Sequence, residues 1–413
     1  MILKQDIEQA IEAQQTYLKI KSGIIDRGFM EDFSPTGKHI EVISGIRRCG
    51  KSTLMKQIMQ QHHQKISYFN FEDPRVFGFE LKDFIKLDEV IGRGVDAYFF
   101  DEIQNVPSWE IFIRQLHDRN EKVYITGSNA SLLSKELGTR LTGRHIRHEL
   151  FSFTYQEFLR YKQLEAGTST FGQYILKGGF PEYLDTENPE VLQNILKDIV
   201  FRDIAIRYSI RNTAGLMDIT LFLLSNIGKE FSYNKIRKAF KVGSANSVSD
   251  YLSWLGDAYL LFFLPKFSWS ARSIASNPRK VYAIDNGLVN ANTLSFGEDR
   301  GRLLENAVYL HLRQQKNNLF YFRDQHECDF VVFENKQCKC LIQVCEQLNH
   351  DNLHRETEGL KEAMAFFKMK VGYVLTLDQR DTLTMDGMNI HIMPVYDFIL
   401  NALPSSGTSK KTD

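Results

Sequence analysis

Apolar and polar residues follow two different rhythms in the first third of the chain. His39-Ile40-Glu41-Val42-Ile43-Ser44 alternates and is rich in β-branched residues, whereas Ala97-Tyr98-Phe99-Phe100 is a continuous apolar run. Alternation predicts a half-buried strand, and a short unbroken run predicts a strand covered on both faces. The same reading places strands near 39–44, 66–71, 97–101, 122–126 and 145–150. Between them lie segments with helical spacing, such as Thr53-Leu54-Met55-Lys56-Gln57-Ile58-Met59. Strands alternating with helices predict the α/β class, a parallel sheet with helices on both faces. An amphipathic helix over 1–22 leads into this core, which spans 23–150. Residues 151–210 turn helical, with a break at Gly178-Gly179-Phe180-Pro181.

The second half is more mixed. Within 211–280 the pattern predicts helices over Leu216–Gly228, Ser232–Phe240 and Ser247–Phe263, then a strand pair within Lys266–Lys280. Residues 281–402 form a separate small α/β piece, with a helix over Leu303–Gln314 and strands at Glu327–Val332 and Leu341–Cys345. The tail, 403–413, is dominated by small polar and charged residues and is expected to be disordered.

Composition narrows the class. At 413 residues the chain suggests two to four domains. An apolar fraction of 43% and a charged fraction of 25% are those of a globular protein. Lysine plus arginine equal aspartate plus glutamate at 51 each, so nucleic-acid binding would need a local basic patch. The first eight residues carry acids where a signal peptide needs an apolar core, and Ala258–Leu264 is too short to span a bilayer. A cytoplasmic protein with no membrane partner is expected. Five cysteines, an odd number, point to free thiols.

Candidate chemistry enters at Gly45-Ile46-Arg47-Arg48-Cys49-Gly50-Lys51-Ser52, which spells G-x-x-x-x-G-K-S between a strand and a helix start. That placement aims free backbone N–H groups and a helix dipole at phosphate. Residues Gly45 to Thr53 are therefore the expected ATP cradle, with Lys51 reaching the β- and γ-phosphates and Ser52 ligating Mg2+. Cys49 lies beside cations that could depress its thiol. Phe100 runs into Asp101-Glu102. Asp101 is expected to hold Mg2+ and Glu102 to polarise the attacking water. Ser128 and Asn129 close the strand at 122–126. Either can contact the γ-phosphate or the water, or serve as an N-cap for a helix from Ala130.

These residues resemble the AAA+ ATPases, and more narrowly the bacterial and archaeal family that joins an AAA-type ATPase to a C-terminal domain of unknown function. Thr126-Gly127-Ser128-Asn129-Ala130, Thr139-Arg140-Leu141-Thr142-Gly143-Arg144 and Gly301-Arg302-Leu303-Leu304-Glu305-Asn306 complete the resemblance, which spans about residues 20 to 400. It implies a P-loop NTPase core using ATP and Mg2+. It also implies that Arg144, or else Arg140, is an arginine finger acting across the interface of a homo-oligomer. The segment 211–280 resembles a winged helix. Lys229, Lys235, Arg237, Lys238 and Lys241, with Lys266, Arg272, Arg279 and Lys280, suit contact with DNA phosphates. A structural spacer with solvated lysines is the alternative.

Residues 281–402 resemble the PD-(D/E)xK nuclease fold. Glu305, Asp329 and Gln343 are then candidates for a second metal site. Cys345 stands where that pattern has lysine, and Lys361 on the following helix is a substitute from a different position. Four cysteines, Cys328, Cys338, Cys340 and Cys345, crowd this region without zinc-site spacing. The resulting expectation is an ATP-hydrolysing protein that couples nucleotide state to its C-terminal domains and an unknown protein partner. The alternatives are a nucleotide-gated switch with little turnover and an ATP-dependent nuclease or DNA-processing factor.

Overall fold

The computed structural model describes residues 2–19, 25–28, 30, 33–35, 37–92, 94–129, 141, 143–293, 300–315 and 318–401. Arg140, the helix expected from Ala130 and the tail 403–413 lie outside the described residues. The chain forms two units. One contains Met1–Ser152 together with Asp257–Tyr259; the other contains Phe153–Gly256 and Leu260–Asp413.

The first unit is built on five parallel strands, β1 (Ile40–Gly45), β2 (Ile66–Asn70), β3 (Ala97–Asp101), β4 (Val123–Gly127) and β5 (His145–Leu150). Their order across the sheet is β2-β3-β4-β1-β5, so the predicted α/β core is observed. Because all five run the same way, the carboxyl ends of β1, β3 and β4 share one edge, where ligands bind in open sheets. Register makes this concrete: Ser44 lies opposite Gly127, and Asn70 opposite Asp101. β3 is buried at all five positions, as its unbroken apolar run demands.

Aromatic packing fills the space under the helices. Phe69, Phe71, Phe79, Phe84, Phe100 and Phe112 belong to one core, and the rings of Phe84 and Phe112 stack at 4.4 Å. The first helix, Lys4–Lys19, buries Ile7 and Ala10 in this core. Its Gln14 side chain pairs with the Asn70 backbone, accepting from Asn70 N at 2.8 Å and donating to Asn70 O at 3.2 Å. That polar side chain thus caps β2 as a neighbouring strand would.

The second unit opens with helices at Tyr155–Lys162, Thr168–Lys177, Pro181–Thr186 and Pro189–Asp198, the last continuing as a π-helix over Ile199–Ile206. The expected break at Gly178-Gly179 is fixed by Asp285, whose Oδ2 accepts from Gly179 N at 2.7 Å. Next come a helix (Thr213–Leu224), β6 (Glu230–Phe231), two helices (Tyr233–Ala239 and Ala245–Asp257), β7 (Leu261–Pro265), a short helix (Ala271–Ser276) and β8 (Arg279–Ala283). These strands form a three-stranded sheet in the order β6-β8-β7.

One boundary differs from the sequence reading. The helix expected to reach Phe263 ends at Asp257, and Leu261–Pro265 is a strand. Tyr259 takes a left-handed φ of 60°, which breaks the helix, and the aromatic run after it then suits a pleated, buried surface. The strand pair consequently begins before Lys266, and the residues between its strands carry a helix.

The C-terminal part is a six-stranded mixed sheet, β9 (Asn318–Arg323), β10 (Glu327–Glu334), β11 (Gln337–Val344), β12 (Val371–Thr376), β13 (Asp381–Met385) and β14 (Met388–Pro394). Its order is β13-β14-β12-β11-β10-β9. The helices Arg300–Gln314 and Leu353–Phe367 accompany it. No described helix is long and apolar enough to cross a membrane.

Candidate functional site

The loop after β1 meets the ends of β3 and β4 at the carboxyl edge of the first unit's sheet. Glycine is required in it twice. A Cβ on Gly45 would sit 2.1 Å from Leu150 O, and Gly50 has a φ of +100°. The helix Lys51–His62 starts directly after Gly50, so Lys51, Ser52 and Thr53 occupy its first turn. Backbone N–H groups in that turn have no partner within the helix and point toward the edge.

Lys51 is buried, and its Nζ donates to Gly45 O and Ile46 O, each at 3.2 Å. It also lies 3.4 Å from Glu102 Oε1. Burial alone would lower the Lys51 pKa, but its acidic neighbours, the Glu102 carboxylate above all, more than reverse that and keep it cationic. Asp101 ends β3, and its carboxylate accepts hydrogen bonds from Ser52, Thr126 and Tyr68, the last at 2.9 Å. Burial first, and then the neighbouring Glu102 charge, push Asp101 above the ordinary carboxylate range.

Glu102 stands one residue beyond the strand in a left-handed conformation, φ 51°. Its N–H donates to Thr126 Oγ1 at 2.9 Å, and its carboxylate accepts from the Gln104 amide. Burial raises its pKa, yet the Lys51 ammonium and the Gln104 amide outweigh burial and hold it below the usual value. Glu102 is therefore an ionised carboxylate one residue from an aspartate that shares its environment. Gln104 also donates to Ser128 Oγ at 3.3 Å, joining Glu102 to the end of β4. Asn129 is buried at the same strand end.

The structure thus gathers Gly45, Ile46, Gly50, Lys51, Ser52, Asp101, Glu102 and Ser128 at one edge. Arg47 pairs with Glu72 at 3.1 Å, and Arg48 has a φ of 60° in the loop. Arg144 immediately precedes β5, where its guanidinium lies 3.7 Å from Asp118. Cys49 differs from the expectation of a depressed thiol. It is fully buried, its Sγ donates to Leu150 O at 3.6 Å, and burial raises its pKa against the pull of Lys51 and Arg27.

Two contributors were missed in the sequence. Arg27, 4% exposed, donates to Cys49 O at 2.9 Å and to Phe151 O at 2.8 Å, tying the loop to the end of β5. No spacing signals it, because it precedes the first strand and belongs to no motif. Tyr68 is the other, and its alternation on β2 places it on the same face as Asn70, though nothing in the pattern marks a hydroxyl directed at Asp101.

The second expected constellation is also assembled, but around a residue assigned elsewhere. Lys280 of β8 is 1% exposed and sits among Glu305, Glu327 and Asp329. It is removed from the basic residues available to DNA. Burial drives Glu305 up to about 7, with Lys280 opposing and Asp329 adding to the rise. Gln343 stays beside Asp329, its Oε1 accepting from Asp329 N at 3.2 Å, while its amide donates to Glu356 Oε2 at 2.9 Å. Lys361 lies elsewhere, paired with Glu358 and Asp386. Burial pushes the Cys345 thiol up to about 12. Asn306, in the same helix as Glu305, exchanges two hydrogen bonds with the backbone of Ala283.

Residues 37–159 match the AAA domain family, 168–299 match a domain of unknown function (DUF8612), and 300–398 match another (DUF4143). An uncharacterized protein of Methanocaldococcus jannaschii is 35% identical over 398 residues, covering 89% of this chain and 88% of its own. An uncharacterized protein of Haemophilus influenzae is 29% identical, covering 87% of this chain and 94% of its own. Among solved structures, the Walker-type ATPase PABY2304 of Pyrococcus abyssi aligns with a TM-score of 0.35 and 15% identity, over 70% of this chain and 95% of that one. With a parallel P-loop sheet in its first unit and the Methanocaldococcus jannaschii relative 35% identical across 89% of the chain, the chain belongs to the nucleotide-binding ATPase family that joins an AAA domain to a DUF4143 domain.

Proposed function

We propose that this protein hydrolyses ATP in a Mg2+-dependent reaction and passes the change of nucleotide state to its C-terminal domains. The observation that carries this reading is the joint arrangement of Lys51, Ser52, Asp101 and Glu102 at one sheet edge. The donor set suits a hard divalent cation. Ser52 Oγ and Asp101 share a hydrogen bond, placing a hydroxyl and a carboxylate oxygen where one ion can reach both. Bound there with ATP, Mg2+ would neutralise charge on the β- and γ-phosphates.

The chain's own groups supply the rest. Lys51 sits at the helix start to neutralise the phosphates, and the loop N–H groups orient them. Glu102, kept ionised by Lys51, accepts hydrogen-bond donation from the attacking water and aligns it. Gln104 holds Glu102 in line with Ser128, the group nearest in sequence to the end of β4. Arg144 is the proposed finger for a neighbouring subunit. Coupling has a covalent route, since the chain leaves the first unit after Ser152, re-enters it at Asp257 and leaves again after Tyr259.

The order helix, strand, two helices, strand, short helix, strand in 213–283 supports a winged-helix reading of that segment, with the short helix inserted between the last two strands. Lys235, Lys238 and Lys241 are exposed on and after its second helix, so contact with DNA phosphates is the associated proposal. A cytoplasmic setting fits an ATP substrate and the free cysteines.

The test is a steady-state ATPase assay with and without duplex DNA, alongside nucleotide binding. Lys51→Ala is expected to lose ATP binding, and Glu102→Gln to bind ATP normally while turnover falls by at least about a hundredfold. Turnover at the unaltered rate in Glu102→Gln would overturn the assignment. DNA that neither binds nor changes the rate would leave the ATPase standing and remove the DNA proposal.

A further inference from the structure

Four charged side chains converge in the second unit, three of them with little access to solvent. Lys280 rises from β8, and its Nζ lies 3.0 Å from Glu305 Oε1, 2.7 Å from Glu327 Oε1 and 2.8 Å from Asp329 Oδ1. Glu327 and Asp329 are two residues apart on β10 and so share a face of the strand. Glu305 comes from the facing helix. Lys280 is 1% exposed, Asp329 5% and Glu305 9%, so the centre of the cluster is not a surface ion pair; Glu327 lies at its rim, with its side chain 30% exposed and Arg323 3.7 Å away.

The carboxylates are also held from behind by groups other than the lysine. Tyr282 Oη donates to Glu305 at 2.7 Å, and Val344 N donates to Asp329 Oδ2 at 3.0 Å. Their orientation toward a common point is therefore built into the two sheets and the helix. Three carboxylates, two of them buried, cannot remain close together and ionised unless a cation lies between them. Two kinds of cation meet that need. One is an ammonium donating hydrogen bonds; the other is a hard divalent ion with oxygen ligands at about 2.1–2.5 Å. Both require the same space, so they exclude each other.

We propose that the Lys280 ammonium is the resident cation of this cluster and closes it to divalent ions. While Lys280 is in place, neither Mg2+ nor Mn2+ is held there, and no metal-dependent cleavage of a phosphodiester can be run from these carboxylates. Removing the charge at position 280 uncovers a latent divalent-cation site whose ligands are Glu305, Glu327 and Asp329. The missing lysine of the nuclease-like pattern is thus not simply lost at Cys345. A lysine reaches the acids from another strand, and it takes the ion's place instead of standing beside it.

The test counts Mn2+ bound to the nucleotide-free full chain by electron paramagnetic resonance. An Asp101→Asn background silences the nucleotide edge. That protein is expected to hold no Mn2+ whose binding depends on Asp329. Adding Lys280→Met, which keeps the length and removes the charge, is expected to bring one further Mn2+ per chain. Asp329→Asn should abolish it. Mn2+ bound with Lys280 present and lost in Asp329→Asn would overturn the proposal, as would a folded Lys280→Met protein that takes up none. If Lys280→Met does not fold in metal-free buffer, refolding with and without millimolar Mn2+ reads the same exchange. Recovery only with Mn2+ supports it, and failure in both overturns it.

Discussion

Glu102 and Cys49 show how much one residue's surroundings decide. The two sit within the same charged edge, yet Lys51 wins over burial at Glu102 and loses to it at Cys49. A thiol that is fully buried and raised in pKa presents almost no thiolate at neutral pH. Cys49 is therefore expected to resist alkylation in the native protein and to react only on unfolding, as mass spectrometry with and without denaturant will show. Gln104 gives a complementary prediction. Gln104→Ala removes the amide that holds Glu102 without touching the phosphate cradle, so kcat is expected to fall about tenfold while KM for ATP stays near its original value. An equal rise in KM would mean that Gln104 shapes the cradle itself. At this scale the sequence was legible wherever chemistry follows local order, as in Gly45–Ser52 and Asp101-Glu102. It was illegible for Arg27, Tyr68 and Lys280, whose roles come from partners 22 or more residues away.

Elements were readable where local pattern and tertiary need agree. All five strands of the first unit lie within about two residues of their expected positions, because alternation and unbroken apolar runs are local signals. The helix expected to reach Phe263 failed for the opposite reason. Its spacing is helical through Leu255, and only the partnering of Leu261–Pro265 with β8 makes the following run a strand. Asn306 tests how such elements are joined. It is fully buried, donates to Ala283 O at 3.0 Å and to Asn286 Oδ1 at 2.8 Å, and accepts from Ala283 N at 2.8 Å. Asn306→Leu leaves the Ala283 peptide group and the Asn286 carbonyl unsatisfied, which is expected to cost about 3 kcal/mol. A lowered melting temperature of the second unit checks this. An unchanged one would show that these groups find other partners.

For the whole molecule, acid is the expected weakness. His311 has its pKa lowered to about 4 by burial, with its ring edge-on to Phe398 at 5.2 Å. The unfolded chain takes up that proton near the ordinary histidine value of 6.5, whereas the folded chain resists until about 4. Stability is thus fully present above pH 6.5 and falls as pH drops toward 4, at up to about 1.4 kcal/mol per pH unit. His311→Gln should flatten denaturant-derived stability across that window, and an unchanged slope would assign the acid sensitivity to other groups. Glu41 adds to it at lower pH, since bonds from His148 and Lys122 outweigh burial and hold its carboxyl below the usual value.

The three residues Asp257–Tyr259 carry one more consequence. Tyr259 Oη donates to Ser44 Oγ at 2.7 Å and accepts from Arg147 at 2.6 Å, so the strand that leads into Gly45 is braced by a segment more than two hundred positions downstream. A gene cut after Ser152 would encode every recognised nucleotide-binding motif and still deliver an unfinished domain. Duplication, fusion or exchange of the N-terminal portion as a free cassette is accordingly disfavoured, and the two units should be inherited as an indivisible pair.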